Sequence, residues 1–360
     1  MNHKLVSLII LIALILSGCT SSQVKEPKDE KEVPVEVIES PQPTEEPEAV
    51  IEEQIIEINY SEVKPYEVGH IMVIMYHGIQ DLPPYHRTKE DFLKDLQYLY
   101  DHNYRLISMS EYKSGNISTP AGFKPVVLTF DDGLSTTFAL EERDGRLVVK
   151  EDTAIGLLEA FSEAHPDFGK AVALYINGGT GAFDGAGTYE ERLKWLVDHG
   201  YEIGNHTNSH PKLSQLNGEQ VQEEIGKVDR LIKETIPNYT VDVITYPHGI
   251  RPEESYRHLV VDGTYEGNAY HYDLGFREGP SGPMVASFHK AFDAFNCPRV
   301  RGSEGEEGDL WWWLEYYESH QELQYVSDGN PNRIAVPKDK VDNVNVDKLN
   351  LSGFELYIWE

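Results

Sequence analysis

Two aspartates stand side by side in Val126-Val127-Leu128-Thr129-Phe130-Asp131-Asp132-Gly133. The run before them is β-branched and aromatic and is bounded by Pro125 and Gly133, which predicts a strand buried on both faces. Neighbouring residues diverge at a strand end, and the glycine permits a sharp turn. One carboxylate can then bind a cation while the other stays free as a base. An Asp-Asp-Gly turn alone is common on surfaces, so its meaning depends on what lies downstream. His206 and His210 are four apart in Asn205-His206-Thr207-Asn208-Ser209-His210, and a helical turn or a curled loop presents both imidazoles on one side. Two imidazoles with Asp132 as third ligand make a zinc-type site that leaves positions open for water and substrate.

The elements that must position these residues alternate in type. Strands are predicted at Ile71 to Tyr76, Tyr104 to Ile107, Val126 to Phe130, Ala171 to Ile176, Glu202 to Gly204 and Val241 to Thr245. Helices are predicted at Glu90 to His102, Thr153 to Ala164 (capped by Asp152 or Thr153), Tyr189 to His199 and Glu219 to Thr235, with a helical turn at Ser110 to Lys113. Thr137 to Lys150 reads as an inserted hairpin turning at Asp144-Gly145. After Pro252 the pattern gives a helix to about Val260, strands near Tyr270 to Phe276 and Met284 to Ser287, and a helix from Asp309 to His320. Extra β pairing is expected at Tyr325-Val326 and Leu356-Tyr357-Ile358. Repeated alternation predicts an α/β fold with a parallel sheet closed as a (β/α) barrel. Active sites of such barrels lie just past the strands. Four strands here end in candidate chemistry: at His77, at Asp131-Asp132, at His206 to His210, and at Tyr246-Pro247-His248-Gly249. The last turn can offer the His248 backbone N–H to a developing oxyanion. Trp311-Trp312-Trp313 point in three directions on a helix, so at least one is expected in the core and packing is favoured over sugar stacking.

The 360-residue chain carries a formal net charge of −30, which argues against nucleic acid and anionic lipid as electrostatic partners. Met1 to Cys19 has the form of an export signal, with Lys4, an apolar core from Leu5 to Leu16 and small residues before the cysteine. Leu16-Ser17-Gly18-Cys19 resembles the lipobox of bacterial lipoproteins, which implies lipidation of Cys19 and an anchor at the extracytoplasmic face of the membrane. Residues 20–66 are rich in Glu, Pro, Ser and Lys and read as a disordered stalk. The apolar patch Val50 to Ile58 is taken as part of that linker. Without Cys19 only Cys297 remains, which excludes an intramolecular disulfide and reads as a small buried hydrophobe.

Thr129-Phe130-Asp131-Asp132-Gly133 and His206-Thr207-Asn208-Ser209-His210 resemble the first two motifs of the NodB-type polysaccharide deacetylases (carbohydrate esterase family 4). The resemblance spans roughly Ile71 to Gly249. It implies a distorted (β/α) barrel that hydrolyses N-acetyl groups on amino-sugar polymers, with Asp131 as base and Asp132, His206 and His210 as metal ligands. The metal expected is Zn2+, with Co2+, Ni2+ and Mn2+ as alternatives. The third family motif, usually Arg-Pro-Pro-Tyr-Gly, reads Thr245-Tyr246-Pro247-His248-Gly249 here. The arginine that orients the base in the family is missing, and Arg299 and Arg301 are the candidate substitutes. The late Leu-x-His motif that supplies the general acid is not found, although His289 is a candidate. Val73-Ile74-Met75-Tyr76-His77-Gly78-Ile79 resembles the opening strand of a permuted sub-group that deacetylates exported poly-N-acetylglucosamine, which implies His77 as the acid. The organisation expected is a signal peptide at 1–19, a linker at 20–66, a catalytic domain at 67–340 and a C-terminal extension at 341–360. The chain is expected to act as a monomer on an N-acetylated glycan. The alternative is a surface-anchored glycan-binding protein on the same fold with lost catalysis.

Overall fold

A computed structural model describes residues 58–278 and 284–360. The signal, Cys19 and most of the acidic stretch therefore lie outside the described residues. Eight strands build the central sheet: β1 (His70–Tyr76), β2 (Tyr104–Leu106), β3 (Lys124–Phe130), β4 (Val172–Ile176), β5 (Glu202–Asn205), β6 (Val243–Thr245), β7 (Leu274–Phe276) and β8 (Val300–Arg301). They pair in parallel in the order β8-β1-β3-β4-β5-β6-β7. β2 lies along the first half of β3, below the point where β4 begins. Cys297, just before β8, bridges to Phe276 of β7. Its N–H donates to the Gly275 carbonyl at 3.1 Å, and the Arg277 N–H donates to its carbonyl at 2.9 Å. Residues 297–301 thus cross from β7 to β1 and close the curled sheet. Met284–Val285 adds an antiparallel pair at the start of β1.

Strand parity divides the core in two. Ile71, Val73, Val127, Tyr175, Val243 and Cys297 form one buried cluster, while Met72, Ile74, Val126, Leu128 and Leu174 join the helices in another. Both faces of β3 are buried, as expected for a parallel sheet covered by helices. By the same period of two, Thr129 and Asp131 share the face of Val127 and point into the barrel.

The helices start where side chains can satisfy their free N–H groups. Thr153, not Asp152, caps the helix Ala154–Ala164 by accepting from Gly156 N–H. Capping boxes at Thr188 and Asn217 start Tyr189–Asp198 and Gly218–Thr235. The expected hairpin is present as Leu140–Arg143 and Arg146–Val149.

The C-terminal third departs from expectation in several places. Only short turns, Glu254–Tyr256 and His258–Val261, occupy the stretch read as one helix. The strand read at Tyr270 to Phe276 is two strands. Asn268–His271 pairs with Asp262–Tyr265 as a separate hairpin, whereas β7 joins the barrel. The break falls at Tyr272-Asp273, whose N–H groups turn to Val261 and Asp242. None of the three tryptophans is fully buried, although Trp311 and Trp313 pack partly buried against the core, as the packing reading expects. Leu310, Leu314 and Tyr317 provide the buried stripe of that helix instead, at the i, i+4, i+7 spacing. Arg333–Pro337 pairs with Glu355–Trp359, and Tyr325 N–H bonds to the His70 carbonyl. Tyr60, inside the stretch read as linker, packs its ring tilted against that of Tyr357, with centres 4.7 Å apart. Glu67 accepts the Ala335 N–H at 2.7 Å. Residues 58–66 and 341–360 therefore pack into the same folded unit.

Candidate active site

The four chemically loaded strand ends meet at one cleft. Its walls carry His77, Asp131, Asp132, His206, His210, His248 and Arg299, together with Met75, Tyr85, His86, Tyr246 and Glu278, around about 320 Å³.

Asp131 continues the inward face of β3, and its N–H bonds the Tyr76 carbonyl at the end of β1. Its carboxylate is buried and receives two parallel N–H bonds from Arg299, at 2.8 Å to Oδ1 and 2.6 Å to Oδ2. Such fork-to-fork pairing fixes direction as well as charge. Burial alone raises the Asp131 pKa, but the guanidinium of Arg299 and the nearby His206 outweigh it and hold the carboxyl well below the usual carboxylate range. Arg299 also donates to Thr129 Oγ1 at 3.2 Å. Arg301 sits at the rim instead, paired with Asp309 and Glu306. Of the two arginines read as candidates, Arg299 is the one on Asp131.

Asp132 should face away from the barrel by parity, yet it lies in the cleft. Its φ of 70° and the φ of 64° at Gly133 reverse the chain immediately after β3. A Cβ at Gly133 would come within 2.9 Å of the Ala182 Cβ, so the reversal fits only glycine there. Asp132 Oδ1 lies 3.4 Å from His206 Nε2 and 3.7 Å from His210 Nε2. Burial, followed by the charge of Asp131, raises the Asp132 pKa.

His206 is buried at the end of β5. Its Nδ1 lies 2.6 Å from Thr245 Oγ1 and 3.1 Å from the Thr245 carbonyl. Thr245 Oγ1 in turn approaches Asp131 Oδ1 at 3.4 Å. The network assigns the proton to Nδ1, since the carbonyl can only accept, and leaves the Nε2 lone pair facing Asp132. Burial lowers the His206 pKa to about 4, so the ring is neutral, as a metal ligand must be. His206 to His210 form a curled loop, not a helical turn, with left-handed backbone at Thr207 and His210. Asn205 Oδ1 accepts from Thr207 N–H, Asn177 donates to the His206 and Thr207 carbonyls, and Glu224 accepts from Ser209. The sequence reading did not single out Asn177 or Glu224. No spacing signal marks them, because they reach the loop from other elements.

One donor atom from each of Asp132, His206 and His210 lies within 4.8 Å of the other two. The two separations from Asp132, 3.4 and 3.7 Å, are close to the ~3.3 Å edge of a tetrahedron with ~2.0–2.1 Å metal–ligand bonds. A two-imidazole, one-carboxylate set suits a divalent transition metal, so these residues fit the implied cofactor.

His77 follows β1, with Nε2 3.9 Å from Asp132 Oδ2 and Nδ1 buried without a partner. Burial lowers its pKa. His248 is exposed at the lip, in left-handed backbone with φ 57°, its ring 4.7 Å from that of His210. His289 is at the other end of the barrel. It bridges to Val344, beside the segment that pairs with the start of β1. Seven strand residues separate that end from His77, roughly 20 Å, so His289 is excluded as the acid.

Residues 167–263 match the family described as polysaccharide deacetylase. That span contains His206, His210 and the Thr245–Gly249 turn, and Asp131-Asp132 precede it. The protein named putative polysaccharide deacetylase YxkH from Bacillus subtilis (strain 168) is 24% identical over 250 residues, 68% of this chain and 76% of its own length. The chitooligosaccharide deacetylase of Sinorhizobium fredii is 25% identical over 129 residues, which cover 36% of this chain and about half, 49%, of that protein. Among solved structures, the Streptococcus pyogenes deacetylase PplD in complex with acetate is similar with a TM-score of 0.49 and 20% identity, covering 68% of this chain and 97% of that one. The chain is thus similar to the polysaccharide deacetylases over residues 167–263, and to the Bacillus subtilis protein over 250 residues, with the motif residues of that likeness gathered at one barrel mouth.

Proposed function

We propose that the chain removes N-acetyl groups from an amino-sugar polymer by metal-assisted water attack. The observation that carries this reading is the juxtaposition in one cleft of an Asp132–His206–His210 cluster with a second carboxylate, Asp131, gripped by Arg299. A divalent cation held by the cluster supplies Lewis acidity and lowers the pKa of a bound water towards ~7. Asp131 takes the proton of the attacking water, with no covalent bond between enzyme and substrate. Arg299 keeps that carboxylate ionised and aimed, in the role the family gives to the third-motif arginine. The His248 N–H serves the developing oxyanion. His77 delivers a proton to the departing sugar amine.

The alternative of a pure glycan binder drew its support from the missing arginine and the unplaced late histidine. Arg299 and His77 now stand in the cleft, and the catalytic reading is preferred. We further propose that lipid on Cys19 holds the domain at the extracytoplasmic face, with the acidic Pro-rich stretch as its tether. The substrate is then a glycan of the cell envelope.

The deciding experiment incubates the protein with N-acetylglucosamine oligomers and quantifies acetate. Release should stop with a chelator and return with added zinc or cobalt. Undiminished release from metal-free protein would remove the mechanism.

A further inference from the structure

The cleft has a second wall that the proposed chemistry leaves unused. Tyr85, His86 and Glu278 line it. Tyr85 meets the His77 ring edge-on at 5.2 Å and is 39% exposed. The Arg301 guanidinium lies 5.7 Å from the centre of the Tyr85 ring, and Arg301 is itself tied to Asp309 at 2.7 Å and Glu306 at 2.6 Å. The ring is thus braced beside the proposed acid while part of it faces solvent.

Glu278 follows β7, half-buried and packed against the Gly249 turn, where an added Cβ would lie 2.7 Å from the Glu278 carbonyl. The other carboxylates of the cleft have partners: Asp131 has Arg299, and Asp132 faces His77, His206 and His210. Among the described residues Glu278 forms no ion pair, and the adjacent Arg277 is tied by its backbone N–H to the Cys297 carbonyl. The Tyr85 hydroxyl is the hydrogen-bonding neighbour of Glu278, and no cation of the described residues pairs with it. A ligand that brings positive charge into the cleft supplies that missing partner.

Among the sugars such a reaction handles, the one that carries positive charge is its own product, because loss of the acetyl group leaves a protonated amine. We propose that Tyr85 and Glu278 form a subsite for a free-amine sugar next to the unit being deacetylated, so that partly deacetylated chains are the preferred substrate. Tyr85 stacks the sugar ring and the Glu278 carboxylate accepts from its ammonium. This inference rests on the deacetylase reading for its biological meaning, but its binding test does not.

Isothermal titration of the whole protein with two tetrasaccharides provides that test, one fully N-acetylated and one carrying a single free amine. The amine-bearing tetramer should bind roughly fivefold to tenfold more tightly, the range of a charge-assisted hydrogen bond in a partly desolvated site. Glu278→Gln should bring the ratio close to one. Tyr85→Ala should weaken both tetramers and Tyr85→Phe should restore them, since the ring and not the hydroxyl provides the platform. Equal affinities in the unsubstituted protein, or a preference that survives Glu278→Gln, would overturn the subsite. Acetate release without amine preference sinks this inference alone. Amine-selective binding without acetate release from any oligomer sinks the deacetylase reading alone.

Discussion

Arg299 reaches Asp131 from 168 positions further along the chain, and it does so with both terminal nitrogens. A lysine there keeps the charge but offers a single point donor on a flexible stem. Arg299→Lys is therefore expected to lower kcat roughly tenfold or more by loosening the carboxylate's aim, while metal content stays at the unsubstituted level. Asp131→Asn removes the proposed base and should lower kcat at least ~100-fold. It should also retain metal, because Asp131 is not one of the three clustered donors. Acetate assays paired with metal analysis check both. An Asp131→Asn protein that turns over normally, or an Arg299→Lys protein that loses its metal, would contradict these roles. Register decides between the two arginines of the sequence reading. Arg301 pairs with Met75 near the rim, whereas Arg299 lies two residues earlier, inside the barrel beside Thr129.

Among the elements, the loop from His206 to His210 is the one whose shape matters most. Two left-handed residues, Thr207 and His210, are unfavourable for side chains that carry a Cβ, and surrounding bonds must compensate. Asn205 contributes most visibly. Its Oδ1 accepts the Thr207 N–H at 2.8 Å, while its Nδ2 donates to the Ile225 carbonyl and the Tyr272 hydroxyl. Asn205→Ala leaves these buried partners unsatisfied and should cost about 1–3 kcal/mol of stability. It should also weaken metal affinity although Asn205 touches no metal. Thermal unfolding with and without added zinc checks this, and an unchanged shift on metal addition would show that the loop holds its shape without Asn205. The long helices and paired strands were readable from periodicity and caps. The region from Pro252 to Phe276 was not, because its turns and strands are three to four residues long and offer no periodicity to read.

At the scale of the whole molecule, the C-terminal sheet and the first described residues are joined through Glu67. Its carboxyl accepts from Asp328 N–H at 3.0 Å and Ala335 N–H at 2.7 Å. Burial first, and then the neighbouring Asp328, push its pKa up to about 8 from 4.5. A folded pKa above the unfolded one favours the native state while the proton is held. That contribution is complete below pH 4.5 and is lost as pH climbs towards 8. Glu67 should therefore pull the urea midpoint down between pH 5 and 8, opposed below pH 6.5 by the lowered pKa values of His70 and His206. Glu67→Gln should raise the midpoint at pH 8 relative to that at pH 5, compared with the unsubstituted protein. A slope identical in both proteins would assign it elsewhere. The membrane proposal belongs to this scale too. Cys19→Ala in the expressed chain should move it from the detergent phase to the aqueous phase on Triton X-114 partition, and continued partition into detergent would end the lipid-anchor reading.

The sequence by itself determined the class of chemistry and the architecture. An Asp-Asp-Gly behind a buried strand and a His-x-x-x-His behind another carry their meaning locally, in residue type and spacing. Alternation of strand and helix implied the barrel whose mouth collects them. Only the tertiary structure decided which arginine is bonded to Asp131, that His289 lies at the other end of the barrel, that Thr245 fixes the His206 tautomer, and that Tyr85 and Glu278 share the cleft. Those contacts join residues far apart in the chain. They depend on register and on how the sheet closes, quantities that emerge from packing of the whole core and leave no local trace in residue order.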